Sequence, residues 1–326
     1  MITITQLEYI VAIDDCRHFA AAAERCFVTQ PTLSMQVKKL EEDLGVLIFD
    51  RSRHPVEPTE LGARLIGQAR IVISSTRRIN EMINEDKQEA TGLLRVGIIP
   101  TLAPYLLPAL VGHYARRHPL VRVEVEELVS REIIRRLKRE SLDAGIFVTP
   151  YRDERIVECP VFYEEMLLYA HPGHELLERE SIRPADLSPW KMWMLGKGHC
   201  FRDQVLNLCE KASNQEGELP FDFESNSLET LMKIVDREGG FTIIPELAAL
   251  EMPREKREQV RSFAAYTPVR EVSVIHSNHY VKKKLIALLV EELKAIVPAG
   301  MLRKERGVVV EWQHVKNKHE DHKDKE

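Results

Sequence analysis

The chain has 326 residues, 44% of them hydrophobic, and a net charge of −5. That is material for two or three domains; with no run of about 18 apolar residues and no basic leader, a soluble cytoplasmic protein with no membrane partner is expected. Its five cysteines (Cys16, Cys26, Cys159, Cys200, Cys209) are odd in number and mostly far apart, which excludes a secreted disulfide framework, and the acidic total does not advertise nucleic-acid binding.

Any case for DNA must rest on pattern, since residues 1–80 hold ten Lys/Arg against ten Asp/Glu. Residues 5–16 read as a helix with Leu7, Ile10, Val11 and Cys16 apolar, and the alanine-rich stretch 19–25 reads as a second. Thr29 caps a third, Pro31 suits its first turn, and Leu33, Val37, Leu40 and Leu44 keep helical spacing until Gly45 stops it. Two short helices with a tight connection, the second opening on Gln, Thr and Ser, describe a helix-turn-helix. Residues 47–49 and Val56 supply the strands of a wing with Arg51 and Arg53 at its tip. Thr59 caps a helix to about residue 86, roughly 40 Å long at helical rise. Along it Leu61, Leu65, Ala69, Val72, Thr76, Ile79 and Ile83 recur at steps of four and three, the seam of a two-helix dimer.

From residue 92 the texture becomes strand (93–99), helix (100–117), strand (121–127), helix (132–140) and strand (142–148), which implies a largely parallel sheet flanked by helices. A second block follows Pro160: strands at 166–170 and 190–195, the segment around Cys200 and Cys209, a helix at 227–236 and a strand at 241–245. A strand at 269–275 and a helix at 281–296 return to the first block, which makes two subdomains around a hinged cleft. The tail from His314 is charged on both signs without apolar periodicity and is expected to be disordered, its three histidines solvated rather than metal-binding. The fold class is thus α+β multidomain. A winged helix-turn-helix spans 1–58 and a linker or dimerisation helix 59–90. An effector domain spans 91–300, as subdomains of about 91–161 with 268–300 and about 162–267; a charged tail, expected to be disordered, spans 301–326.

Cys200 follows His199, lies two residues before Arg202, and precedes Cys209 by nine positions. A cation lowers a thiol pKa, so a protonated His199 and Arg202 predict an ionised Cys200. Val205, Leu208 and Cys209 share one helical face, which predicts a neutral and inert Cys209. Along a helix these nine steps span roughly 13 Å, against about 7 Å tolerated between the Cα atoms of a disulfide. The two thiols can bond only if the segment unwinds, as a redox switch requires.

Residues 20–25, Thr29-Gln30-Pro31-Thr32-Leu33-Ser34, 40–45, Leu47-Ile48-Phe49-Asp50-Arg51 and Pro58-Thr59-Glu60-Leu61-Gly62 resemble the N-terminal domain of LysR-type transcriptional regulators. The resemblance implies that the helix from Thr29 enters the major groove. Gln30, Thr32, Ser34 and Gln36 would then face base edges, with Pro31 among the DNA-binding residues, and Lys38, Arg51 and Arg53 phosphates; glutamine can bond adenine bidentately, which agrees. It further implies a homodimer through the linker helix, a homotetramer, and an effector domain of the periplasmic-binding-protein type.

Within that family, Gly198-His199-Cys200-Phe201-Arg202-Asp203-Gln204 with Cys209, together with 99–108, 227–231 and 243–245, resembles the branch that senses hydrogen peroxide. What that implies is a peroxidatic Cys200, oxidised to a sulfenic acid, and a resolving Cys209 that condenses with it to a reversible disulfide. The implied peroxide pocket comprises Thr101 at a helix N-terminus, Ser130 where threonine is expected, His199, Arg202, Asp203 and Arg270. The function implied is redox control of oxidative-stress defence genes as an activator. Its partners would be double-stranded DNA half-sites, hydrogen peroxide, RNA polymerase and a resetting thiol reductant; no cofactor or metal is implied.

Three rivals stand beside this reading. A regulator of the same family could bind a small organic acid in its cleft, with the cysteines incidental. A thiol peroxidase shares the first chemical step but leaves residues 1–60 unexplained. Zinc on His199, Cys200 and Cys209 lacks a Cys-x-x-Cys pair and a fourth ligand.

Overall fold

The computed structural model describes residues 2–53, 55–85, 90–187, 192–209, 225, 227–278 and 282–312, and the chain divides into two units, Met1–Glu89 and Ala90–Glu326. In the first, helix α1 (Ile4–Cys16) starts at a capping box between Thr3 and Gln6. Helix α2 (Phe19–Arg25) follows, and α3 (Gln30–Leu44) begins where the Thr29 hydroxyl accepts from Thr32 N–H. Gly45, at φ +68°, ends α3 in the left-handed region that a Cβ disfavours. Ile10, Ile13, Ala22, Leu33, Val37, Leu40 and Ile48 close the core between them.

The wing strands β1 (Phe49–Asp50) and β2 (Glu57–Pro58) pair antiparallel and lie slightly C-terminal to the expected ones. The cause is Glu41, whose carboxylate accepts from Ile48 N–H (2.9 Å) and Phe49 N–H (3.3 Å), drawing Ile48 into the core. Helix α4 (Glu60–Glu85) is capped by Thr59, whose hydroxyl accepts from Gly62 N–H at 2.9 Å. Gly62 is required there, because an added Cβ would lie 1.9 Å from Ile48 O. The expected dimer seam divides between two faces: Ala69, with Ile66 and Ile73, is buried, while Leu61, Val72 and Ile79 are exposed. Arg70 secures the buried side through Asp14 (2.9 Å) and Asp15 (2.6 Å).

The second unit opens with β3 (Gly92–Ile98), α5 (Ala103–Arg117), β4 (Val121–Glu127), α6 (Ser130–Lys138) and β5 (Ala144–Thr149). It continues through β6 (Ile156–Ala170), β7 (Ser181–Ile182), α7 (Cys200–Cys209), α8 (Leu228–Glu238), β8 (Phe241–Pro245) and α9 (Glu246–Glu251). Then come α10 (Arg254–Arg257), β9 (Val260–Phe263), β10 (Pro268–Ser277), α11 (Lys283–Ile296) and β11 (Val308–Val309). The main sheet runs β4-β3-β5-β10-β6-β9-β7, with β8 on β6 and β11 on β10. The sheet is mixed rather than largely parallel: β3, β4 and β5 are parallel, but β10 runs against both β5 and β6.

Strand β6 passes through Pro160 instead of beginning after it, and joins both halves of the unit. Its N-terminal part pairs with β10 and its last five residues with β8. The register slips at Val272/Ser273, opposite Pro160 and Phe162, the bulge that a proline inside a strand calls for. In place of a strand at 190–195 there are isolated bridges from Met192 to Phe241 and from Leu195 to Ser225, residues 190 and 191 lying outside the described residues.

The tail expected to be disordered from 301 is folded as far as Trp312. Met301 is buried, β11 extends the sheet, and Trp312 stacks on Tyr151; apolar Val308, Val309 and Val310 outweigh the surrounding charge. His314 and the rest of the charged run lie outside the described residues. No helix among the described residues is long and apolar enough to cross a membrane.

Candidate redox site and nucleic-acid interface

Gly198, at φ +96°, turns the chain into α7, and the carbonyl of buried His199 accepts from Arg202 N–H (3.1 Å) and Asp203 N–H (3.4 Å). Cys200 is the first residue of the helix and is buried. Its N–H, one of the donors a helix start leaves without an intrahelical partner, meets Ser130 Oγ at 3.4 Å. Ser130 opens α6, so the two helix starts face each other across this contact. Along the rest of the helix Phe201, Val205 and Leu208 pack with Met166, Leu168, Leu195, Leu228 and Leu231, whereas Cys200 itself joins the other core of the unit. Each such apolar side chain contributes about 1.5–3 kcal/mol when fully buried, and this holds α7 in place.

Arg270 on β10 is fully buried beneath the helix start. Its guanidinium donates to Glu164 Oε1 (2.7 Å from Nε), to Thr101 Oγ1 (2.8 Å) and to Thr101 O (3.1 Å), and lies 4.9 Å from the centre of the Phe201 ring. Glu164 is also fully buried, and its second oxygen accepts from Leu247 N–H. Burial pushes the Glu164 carboxyl up while the Arg270 charge opposes it.

Thr101 is therefore not a helix cap. Leu102 holds that position on α5 without a side-chain bond, and the Thr101 hydroxyl is turned to Arg270. Arg202 Nη1 donates to Leu195 O at 2.8 Å, the direction its helical position gives it, and Arg270, distant in sequence, is a cation that pulls the Cys200 thiol down.

The thiol is pushed away from the ionisation expected of it. Burial pushes Cys200 up to about 11, outweighing the Ser130 hydrogen bond and the Arg270 charge that pull it down; Asp203 acts in the same direction as burial. Burial alone pushes Cys209 up to about 12, as its apolar helical face led one to expect. Both are free thiols at opposite ends of one ten-residue helix. Thr101, Ser130, Cys200 and Arg270 thus form one cluster, with Asp203 in electrostatic range. The sequence reading missed Glu164 and Phe201; a pair of acids, Glu164 and Glu165, directly after Val161, Phe162 and Tyr163 was the available signal for Glu164.

In the first unit, Gln30, Pro31 and Thr32 are exposed on the opening turn of α3, and Ser34 and Gln36 are half-buried. Lys38 is exposed, 3.8 Å from Glu42. Arg51 is held by Glu41 (3.0 Å) with its guanidinium 5.3 Å from the Phe19 ring centre, and Arg53 pairs with Asp50 and Glu57. The Arg53 pairs are exposed and weak, so that guanidinium is readily given up, whereas Arg51 braces the wing.

The family model of bacterial regulatory helix-turn-helix proteins of the lysR family matches residues 4–63, and that of the LysR substrate binding domain matches 87–297. The chain belongs to the LysR family. Among LysR-family relatives it is 36% identical to the hydrogen peroxide-inducible genes activator of Pectobacterium carotovorum, over 81% of this chain and 86% of that protein. It is 37% identical to the DNA-binding transcriptional dual regulator OxyR of Escherichia coli, over 79% of this chain and 83% of that one. A full-length OxyR variant from Pseudomonas aeruginosa has a similar structure, with a TM-score of 0.76 at 33% identity, covering 90% of this chain and 95% of the other.

Proposed function

We propose that this LysR-family chain is a DNA-binding transcriptional regulator that senses hydrogen peroxide through Cys200 and Cys209. The observation that carries the reading is the placement of the two free thiols at opposite ends of α7, the first inside the Ser130–Thr101–Arg270 cluster. Relatives named for peroxide-inducible genes support it. Peroxide enters beside Cys200, where the Thr101 and Ser130 hydroxyls and the Arg270 guanidinium stabilise charge developing on the departing oxygen. The sulfur bonds to one peroxide oxygen as the O–O bond breaks, and the thiol proton leaves with the other oxygen as water. Cys209 then attacks the Cys200 sulfenic acid, a second water departs, and an S–S bond forms; two thiols are oxidised and one peroxide reduced. Two equivalents of a small thiol reverse the step.

Because roughly 13 Å of helix separates the two Cα atoms, closing the bond unwinds α7. The refolded segment rearranges a homotetramer assembled from homodimers paired along α4, alters the spacing of half-sites gripped by Gln30, Pro31, Thr32, Ser34, Gln36 and Lys38, and so affects RNA polymerase in the cytoplasm. DNA footprinting of reduced and peroxide-treated protein tests the proposal. The protected pattern should change for the wild type and stay fixed for Cys200→Ser; the same change in both would refute it.

A further inference from the structure

The last described residues form a strap that lies against α7. Arg306 anchors its start by donating to Tyr163 O (2.9 Å) and to the carboxylates of Glu165 (3.0 Å) and Glu246 (2.9 Å). Gly307 passes so close to the sheet that an added Cβ would lie 2.4 Å from Thr267 O, and β11 then pairs in parallel with Pro268 and Val269 of β10. Beyond it Val310 packs on the apolar core that holds Phe201, Val205 and Leu208. The carbonyl of Val310 accepts from Gln204 Nε2 at 2.5 Å, and that of Glu311 from Asn207 Nδ2 at 2.6 Å. The far end is fixed by Trp312, stacked on Tyr151 at 5.7 Å and 9°, and by the ion pair of Glu311 with Arg152.

Both amide donors sit between Cys200 and Cys209, three residues apart and therefore on one helical face. We propose that residues 307–312 act as a positioning element for the redox reaction, holding α7 helical in the dithiol state and letting go when the disulfide forms. The inference rests on the function proposed above. Bringing the Cα atoms from roughly 13 Å to within about 7 Å unwinds the turns that carry Gln204 and Asn207, so the two amides cannot keep the spacing the strap requires. The grip is also releasable. Gln204 Oε1, Asn207 Oδ1 and Trp312 Nε1 are buried without a hydrogen-bond partner among the described residues, so the closed arrangement carries an opposing cost. The strap thereby sets how oxidising the surroundings must be before the switch turns.

The test is a redox titration of full-length protein in dithiothreitol buffers, reading the Cys200–Cys209 link by peptide mass. It compares the wild type, a chain ending at Arg306, and Asn207→Ala. Loss of the grip should move the thiol–disulfide equilibrium toward the disulfide, by about fivefold where one hydrogen bond is lost and further where both are. Alanine is a better helix former than asparagine, so a purely local effect of Asn207→Ala would move the equilibrium the other way. Midpoints within about twofold of one another, with the link formed in all three proteins, would overturn the strap and leave the sensor standing. A wild type that forms no link would overturn the sensor and the role of the strap with it.

Discussion

Arg270→Met is expected to destabilise the effector unit by about 3–5 kcal/mol at neutral pH, the usual cost of removing one partner from a buried ion pair. Arg270 and Glu164 are both fully buried, and their oxygen–nitrogen separations are 2.6 and 2.7 Å. Without the guanidinium, the Glu164 carboxylate keeps only the Leu247 N–H among its partners here, and burial drives it to take up a proton. Its folded-state pKa then lies above the unfolded value, so the folded protein binds the extra proton. The defect should therefore be smaller near pH 5 and grow as pH rises toward 8. Urea midpoints at the two pH values check this, and Arg270→Met with Glu164→Gln should recover most of the loss. Equal midpoints for wild type and Arg270→Met would show that the pair is not buried as described. The same substitution should slow peroxide oxidation of Cys200, because it removes the cation that opposes the burial of the thiol.

Alkylation of Cys200 should be slow at pH 7 and rise about tenfold per pH unit toward pH 10, because thiolate is the reacting form and the thiol is pushed up to about 11. Rates followed with iodoacetamide and peptide mass measure it; a plateau below pH 8 would mean that the thiol is already ionised. Stability follows the same group. The unfolded thiol ionises near its ordinary value of 9.0, while the folded one keeps its proton to about 11. Stability is accordingly present below pH 9 and falls at about 1.4 kcal/mol per pH unit between the two values, a decline that Cys200→Ala should lessen. Rapid sensing from such a thiol requires that peroxide and the Ser130–Thr101–Arg270 cluster stabilise charge only as the reaction proceeds. A buried thiol of this kind is also shielded from bulkier electrophiles.

What the sequence made legible was local. The caps at Thr29 and Thr59, the stop at Gly45, the apolar face of Cys209 and the distance between the two cysteines all follow from neighbours within a helical turn or two. The partner of Cys200 was not local. Arg202 is near in sequence, but its helical position sends it to Leu195 O, while Arg270 arrives from a strand 70 residues away and brings Glu164 with it. The seam along α4 was legible only as a repeat: α1 takes the face with Ala69, a division that the spacing alone does not show, and leaves Leu61, Val72 and Ile79 exposed. The charge of the tail likewise concealed the short apolar run at Val308, Val309 and Val310 that binds it to β10 and α7.

The most direct measurement is peptide mass mapping of reduced, full-length protein after brief exposure to one equivalent of hydrogen peroxide. The expected result is an intramolecular Cys200–Cys209 link that a thiol reductant reverses, with Cys16, Cys26 and Cys159 unchanged. If both Cys200 and Cys209 remain free thiols, peroxide is not the signal, and the cluster around Arg270 serves some other ligand.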